Sequence, residues 1–203
     1  MKNSILFDLD GTLWDTTVEV EKIWNKIAME YGLNIRKEKI KNIMGLTKRE
    51  IIEYLFKGNN KDGNEFITKC QEKENDYLKE NGGHIYKNTI KTIKKLVNKY
   101  DLYIVSNCQA GYIESFIEHY SLQEFFKDFE CSGNTGMTKY ENINSVLKRN
   151  NILKAIYVGD TQKDYESAIK NELPFIWAEY GFGNCDKYYK KIKDISELLN
   201  IEI

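Results

Sequence analysis

Short apolar runs alternate with amphipathic segments along most of this chain. Four runs have the length and residue content of buried strands, and Glu130–Ser132 is a fifth, less apolar candidate. The four runs are Ile5–Leu9, Leu102–Val105, Ala155–Val158 and Phe175–Ala178. Helical spacing follows or separates them at Thr89–Tyr100, Gly111–Tyr120, Tyr140–Arg149, Gln162–Lys170 and Ile195–Leu199. Strands that alternate with helices predict a parallel sheet covered on both faces.

The segment between the first strand and the rest reads differently, because residues 14–83 contain no convincing strand. Helical spacing recurs there at Val20–Tyr31, Lys37–Met44, Lys48–Phe56 and Glu65–Leu78. A chain of 203 residues is long enough for one full core and a modest second lobe. We therefore predict a doubly wound, Rossmann-like α/β core (residues 1–13 and 84–203) with an inserted all-helical cap lobe (14–83).

Composition narrows the class of protein. With 41% hydrophobic and 30% charged residues and a net charge of -1, the chain is an ordinary globular one without the basic excess typical of nucleic-acid or membrane binding. The four cysteines form no C-x-x-C pair, so reduced thiols in the cytoplasm are expected rather than a zinc or disulfide framework. The first apolar run is too short for a signal peptide or a membrane span. We expect a cytoplasmic monomer or weak homodimer that binds neither nucleic acid nor membrane.

Polar clusters follow the predicted strands at the point where each strand ends. Asp8 and Asp10 follow the first strand, Ser106-Asn107 follows the second, and Asp160 follows a later one, with Asp164 four residues further on. The carboxyl ends of the strands in an open parallel sheet share one edge, which is where such folds bind ligands. These side chains are therefore expected to meet in one crevice.

Four converging aspartates need a cation. Two carboxylates about 4 Å apart repel each other by about 4 kcal/mol at an effective dielectric constant of 20. A stable fold avoids such a cluster unless a positive ion neutralises it, and all-oxygen ligands favour magnesium over zinc. Bound Mg2+ and a nearby lysine would in turn suit a phosphate group.

These residues also carry a family resemblance. Asp8-Leu9-Asp10-Gly11-Thr12 resembles the D-x-D-G-T signature of the haloacid dehalogenase superfamily. Ser106-Asn107 resembles the second motif of that family, Lys139 the third, and Gly159–Asp164 the fourth, G-D-T-x-x-D. The helical insertion and the glycine-aromatic loop Tyr180–Gly183 are similar to those of the phosphoglycolate phosphatase and β-phosphoglucomutase branch.

The chain departs from the family pattern at two places. Tyr140 stands where the third motif usually has proline. Asn171-Glu172 replaces the small residue and glycine that normally close the helix after the fourth motif, and this change is mild because asparagine tolerates the left-handed conformation. Neither change removes a charged group from the site.

The resemblance implies a magnesium-dependent phosphomonoester hydrolase that acts on a small phosphorylated metabolite through an aspartyl phosphate. Asp8 would be the nucleophile and Asp10 the general acid, then the general base. The expected phosphate-binding residues are Gly11, Ser106, Asn107 and Lys139. The expected metal ligands are Asp8, the carbonyl of Asp10, Asp160 and Asp164. Lys48 and Arg49 in the cap are candidates for contact with the distal end of the substrate.

Three alternatives differ in what they need from these residues. A phosphomutase acting on a sugar phosphate shares every core residue, and the cap would decide between it and a phosphatase. A non-catalytic binding protein on the same fold is expected to lose its nucleophile, whereas Asp8 is present. A dehalogenase is disfavoured because that chemistry needs neither Asp10 nor magnesium.

Overall fold

A six-stranded parallel sheet forms the centre of the computed structural model, which describes residues 2–35, 37–57 and 60–202. The strand order is β5-β4-β1-β6-β7-β8. The bounds are β1 Ser4–Phe7, β4 Asp101–Ser106, β5 Phe126–Cys131, β6 Ala155–Gly159, β7 Phe175–Ala178 and β8 Lys190–Ile192. The predicted doubly wound α/β class is confirmed.

Helices cover both faces of the sheet. Alternate residues of β1 point to opposite sides, so Ile5 and Phe7 join one apolar cluster and Leu6 joins the other. Helices α5 and α6 pack on the first face, and α8 and α9 on the second. The bounds are α5 Thr89–Leu96, α6 Tyr112–His119, α7 Ser132–Thr135, α8 Lys139–Arg149 and α9 Gln162–Lys170, followed by a 3-10 turn at Ile195–Asn200.

Four helices form the cap between the first and second core strands. They are α1 Thr17–Ala28 (extended by a 3-10 turn, Met29–Tyr31), α2 Lys37–Ile43, α3 Lys48–Phe56 and α4 Asn60–Asn81. The cap has its own apolar cluster, in which Trp24 packs edge-on against Phe66. Among the residues described, no helix has a stretch both apolar and long enough to cross a bilayer.

The two connections between cap and core run side by side. Strand β2 (Trp14–Asp15) pairs antiparallel with β3 (His84–Ile85). The expectation that residues 14–83 lack a strand is therefore wrong, since two residues are too few to show the alternation typical of a strand. The pairing of β2 with β3 supports the proposed boundaries at 13/14 and 83/84, which stay a proposal.

Some element ends also differ from the sequence prediction. Strand β1 ends at Phe7 rather than Leu9, because the carbonyl of Leu9 accepts hydrogen bonds from the amides of Thr12 and Leu13 in a tight turn. Strand β8 has no apolar run and lies at the sheet edge with two exposed lysines, a pattern that natural edge strands use against aggregation.

Helix α9 ends at Lys170, as predicted, and the left-handed residue lies two positions beyond that end. Glu172, not Asn171, takes the left-handed conformation, with φ of 59°. The amide of Glu172 donates to the carbonyl of Ile169, and the amide of Leu173 donates to that of Ala168. These two bonds form a Schellman motif, which puts its left-handed residue at the second position after the helix. Glu172 thus occupies the position where the family has glycine.

Candidate active site

The fold brings the predicted core residues to one edge of the sheet. Asp8 follows β1, Asp160 follows the adjacent strand β6, and Asp164 lies in the first turn of α9. Lys139 is the first residue of α8. All four side chains are buried, with at most 4% of each residue exposed. Residues separated by more than 150 positions in sequence therefore share one polar centre.

Lys139 joins two of the carboxylates. Its Nζ lies 2.9 Å from Asp8 Oδ1 and 2.5 Å from Asp164 Oδ1. Burial disfavours the charged lysine, but the adjacent carboxylates outweigh burial and raise the pKa of Lys139 well above its ordinary value. The start of α8 is fixed by a reciprocal capping box between Thr138 and Glu141. The lysine is thus a charged group held rigidly at a helix N-terminus.

Three carboxylates lie close enough to share an ion. One oxygen each of Asp8, Asp160 and Asp164 lies within 4.8 Å of the others. Asp160 Oδ2 accepts a 2.7 Å hydrogen bond from the amide of Phe182, whereas Asp160 Oδ1 is buried without a hydrogen-bond partner. Asp164 Oδ2 accepts from the amide and hydroxyl of Thr161. Burial and the neighbouring carboxylates raise the pKa of Asp160 well above its ordinary value.

This donor set fits a hard divalent cation. Three carboxylates face a single lysine, so the ionised group carries excess negative charge in a buried place, which is costly without a counter-ion. Asp160, whose Oδ1 is buried without a hydrogen-bond partner, belongs to this group. Carboxylate oxygens without sulfur or imidazole ligands are the set that Mg2+ prefers.

Two glycines let the surrounding loops close on Asp160. A Cβ atom at Gly11, which has φ of 76°, would lie 2.3 Å from Asp160 Oδ2. A Cβ atom at Gly181 would lie 2.3 Å from Asp160 Cβ. Both distances are far below van der Waals contact, so each position needs glycine. The role of Gly11 in phosphate binding stays a prediction.

Asp10 is held by two groups that the sequence analysis did not assign to it. Its Oδ1 accepts a 3.1 Å hydrogen bond from Trp14 Nε1 and a 2.7 Å bond from the hydroxyl of Tyr112. That hydroxyl is also 2.7 Å from Thr16 Oγ1. Burial raises the pKa of Asp10 to about 8 and that of Asp8 to about 6. The two aspartates of the first motif therefore have distinct environments.

Ser106 and Asn107 lie at the end of β4, next to β1. Ser106 is the buried last residue of the strand. Asn107 Nδ2 donates to the carbonyl of Gly45 in the cap at 3.0 Å, and its Oδ1 accepts from Ser132 Oγ at 3.1 Å. The Asn107 side chain thus links core and cap, and phosphate binding by Ser106 and Asn107 stays a prediction.

The structure separates Lys48 and Arg49 from the buried site. They line an outer cleft of about 650 Å³ between cap and core, whose far wall includes Ser132 and Thr138. Lys48 Nζ donates to Thr68 Oγ1 at 2.8 Å. Neither cation lines the small inner cavity that adjoins Asp10. Their contact with the substrate stays a prediction, and this arrangement does not favour it.

A model of the haloacid dehalogenase-like hydrolase family matches residues 5–178 of this chain. The chain belongs to that family. The match includes all the core motifs and the whole cap, so the resemblance stated from the sequence is confirmed.

Several known proteins are similar to this haloacid dehalogenase-like hydrolase. 2-Deoxyglucose-6-phosphate phosphatase 1 of Saccharomyces cerevisiae is 43% identical over 51 residues, which is 25% of this chain and 20% of that protein. A solved structure of a predicted phosphatase from Clostridium acetobutylicum has 24% identity and a TM-score of 0.84, over 98% of this chain and 97% of that one. CbbY of Rhodobacter sphaeroides, in complex with xylulose-(1,5)bisphosphate, has 15% identity and a TM-score of 0.82, over 98% and 96%.

The hydrolase site contains residues that the motifs did not indicate. Tyr112 contacts Asp10 from α6, and nothing in its sequence surroundings marks it. Trp14 packs edge-on against Tyr112 and also donates to Asp10. Glu74 is buried on α4, on the face that includes Cys70 and Leu78. An acid four residues from each of two apolar positions was a signal that could have been read.

Proposed function

We propose that this chain is a magnesium-dependent phosphatase that hydrolyses a small phosphate monoester through an aspartyl phosphate on Asp8. The observation that carries the proposal is the buried arrangement of Asp8, Asp160 and Asp164 around Lys139, with Asp10 two residues from the nucleophile. Phosphoryl transfer needs a positioned nucleophile, charge neutralisation and a proton for the leaving oxygen. This site holds a group for each of these needs.

The residues divide the reaction into two steps. In the first, an Asp8 carboxylate oxygen bonds to phosphorus, the ester P–O bond breaks, and Asp10 gives its proton to the departing alkoxide. In the second, Asp10 takes a proton from water, the water oxygen bonds to phosphorus, and the acyl phosphate P–O bond breaks. Inorganic phosphate leaves and both carboxyl groups return to their starting states.

The other polar groups of the site position Asp8 and Asp10. Asp8, the main-chain carbonyl of Asp10, Asp160 and Asp164 would hold Mg2+. When bound, Mg2+ neutralises the carboxylates and the phosphate oxygens. Lys139, already 2.9 Å from Asp8 Oδ1, would bind a phosphate oxygen beside the nucleophile. Trp14 and Tyr112 fix the direction of the Asp10 carboxyl group.

Hydrolysis is favoured over a mutase reaction by the space next to Asp10. The cavity there has a volume of about 40 Å³, which accommodates about three water molecules. A sugar ring that carries a second phosphate needs several times that space and a cation to hold the added charge. This cavity is too small for such a ring, and its described lining holds no lysine or arginine.

Asp8→Asn tests the nucleophile. The amide is nearly isosteric with the carboxylate but a poor nucleophile, so turnover of p-nitrophenyl phosphate should be lost while the melting temperature indicates a folded protein. Asp186→Asn, an exposed position outside the site, is the matched control and should keep the parent rate. Hydrolysis by Asp8→Asn at more than about a tenth of the parent rate would show that another group attacks phosphorus.

A further inference from the structure

A small cavity lies between Asp10 and the cap. It is lined by α1, α4 and the loop between α2 and α3 on the cap side, and by the start of α6 on the core side. Its volume is about 40 Å³, so it holds a group of about three non-hydrogen atoms. The lining residues used below are Asp10, Trp24, Glu74, Gln109 and Tyr112.

Glu74 is the ionisable side chain that the cap contributes to the described lining. It is 4% exposed. Its Oε2 accepts a 2.8 Å hydrogen bond from Trp24 Nε1, and its Oε1 accepts a 3.2 Å bond from Gln109 Nε2. None of the ion pairs among the described residues includes Glu74.

This arrangement leaves the Glu74 carboxylate able to accept further hydrogen bonds. Each carboxylate oxygen accepts about two hydrogen bonds, and each oxygen of Glu74 has one from the protein. An acid kept there without a cation, and beside a second acid, is explained if a ligand supplies the missing donor.

The lining also excludes one kind of ligand. A terminal carboxylate or second phosphate on the leaving group would meet the buried carboxyl group of Glu74, with no lysine or arginine among the described lining residues. Lys48 and Arg49 line the separate outer cleft. Like charges in a buried place repel strongly, so an ester whose leaving group carries a second anionic group is disfavoured.

We propose that Glu74 determines substrate choice, by accepting a hydrogen bond from an N–H or O–H donor at the far end of a short leaving group and by rejecting anions. This inference rests on the proposed phosphatase function. The substrate class is a phosphate ester of a short alcohol that ends in an ammonium or hydroxyl group. Glu74 acts on the leaving group only, so the phosphate-binding residues are not involved.

A matched series of esters tests the proposal. Aminoethyl, hydroxyethyl and n-propyl phosphate differ only in the terminal ammonium, hydroxyl or methyl group, and phosphoglycolate ends in a carboxylate. The parent protein should have its highest kcat/KM on a donor-ended ester and its lowest on phosphoglycolate. Glu74→Gln should lower kcat/KM for the preferred ester by at least about tenfold and leave n-propyl and p-nitrophenyl phosphate within about twofold.

The control is Glu72→Gln, an exposed acid on the same helix that lines the outer cleft, and it should not change the ranking. A loss confined to aminoethyl phosphate identifies the donor as an ammonium group, and an equal loss on hydroxyethyl phosphate identifies a hydroxyl group. The proposal fails if phosphoglycolate is the best ester or if Glu74→Gln lowers all esters equally. The ranking by the parent protein decides the matter even if Glu74→Gln does not fold.

The two proposals fail in different ways. Hydrolysis of p-nitrophenyl phosphate and n-propyl phosphate without any donor preference would overturn the role of Glu74 and leave the phosphatase proposal standing. Absence of hydrolysis of every ester in the presence of Mg2+ would overturn both.

Discussion

Tyr112→Phe removes a single hydroxyl from the site and leaves the aromatic packing in place. The hydroxyl lies between Asp10 Oδ1 and Thr16 Oγ1, 2.7 Å from each. The ring packs edge-on against Trp14 at a centroid distance of 5.1 Å, a contact that phenylalanine keeps. The variant therefore tests whether Tyr112 directs the Asp10 carboxyl group toward the leaving oxygen.

The size of the effect follows from one hydrogen bond. A net contribution of about 1 kcal/mol corresponds to roughly a fivefold loss of kcat/KM if the bond acts in the transition state. The loss should appear for an alkyl phosphate, because an alkoxide must be protonated as it leaves. It should be much smaller for p-nitrophenyl phosphate, since p-nitrophenolate leaves without a proton.

The assay compares kcat/KM for the two esters in parent and variant. Tyr120→Phe is the matched control: its hydroxyl donates to the carbonyl of Gly83 at 2.6 Å, and its ring also packs near Trp14. The control should change neither ester. An equal loss on both esters in Tyr112→Phe would refute the argument, because it would show that the hydroxyl supports the fold or phosphate binding rather than proton transfer.

Two further predictions concern the metal ion and the C-terminal end of α9. Removal of divalent ions by a chelator should abolish hydrolysis, and Mg2+ should restore it better than Ca2+, whose looser coordination misplaces Asp8; full activity in metal-free buffer would contradict this. Glu172→Gly should raise the free energy of unfolding by about 0.5–1 kcal/mol, because glycine takes the left-handed conformation without strain. Thermal unfolding checks this by a rise of about 1–4 °C. The neighbouring control Asn171→Gly, at φ of -97°, should instead destabilise.

The polar centre could be predicted from the sequence because most of its residues lie directly after the strands of the sheet. Asp8 and Asp160 follow adjacent strands of the sheet, so any parallel arrangement brings them together. Lys139 was predicted from its motif, and the capping box of Thr138 and Glu141 explains why the helix begins there although Tyr140 replaces the usual proline. Site residues that follow the carboxyl ends of parallel strands can be predicted from the order of strands and helices along the chain.

The remaining features depend on how cap and core meet. Tyr112 and Glu74 reach the site from helices whose orientation is set by tertiary packing, which a local pattern does not reveal. The β2–β3 pairing joins residues about 70 positions apart through two-residue strands. The left-handed position after α9 could not be placed from residue type alone. Asparagine tolerates that conformation, but the hydrogen bonds of the Schellman motif place it at Glu172.

The position of the cap also bears on how substrate reaches the site. Asp8 is 2% exposed and Asp10 is 6% exposed, so we expect substrate to enter only after the cap moves away. Two of the polar contacts that hold it closed are the Asn107 bond to Gly45 and the Lys163–Glu50 ion pair, which is half exposed and worth at most about 1 kcal/mol. Other contacts between cap and core include the Asn75 Nδ2 bond to the carbonyl of Ala110 and the Lys79–Glu118 ion pair. A leaving group that completes the hydrogen bonds of Glu74 would favour the closed state directly.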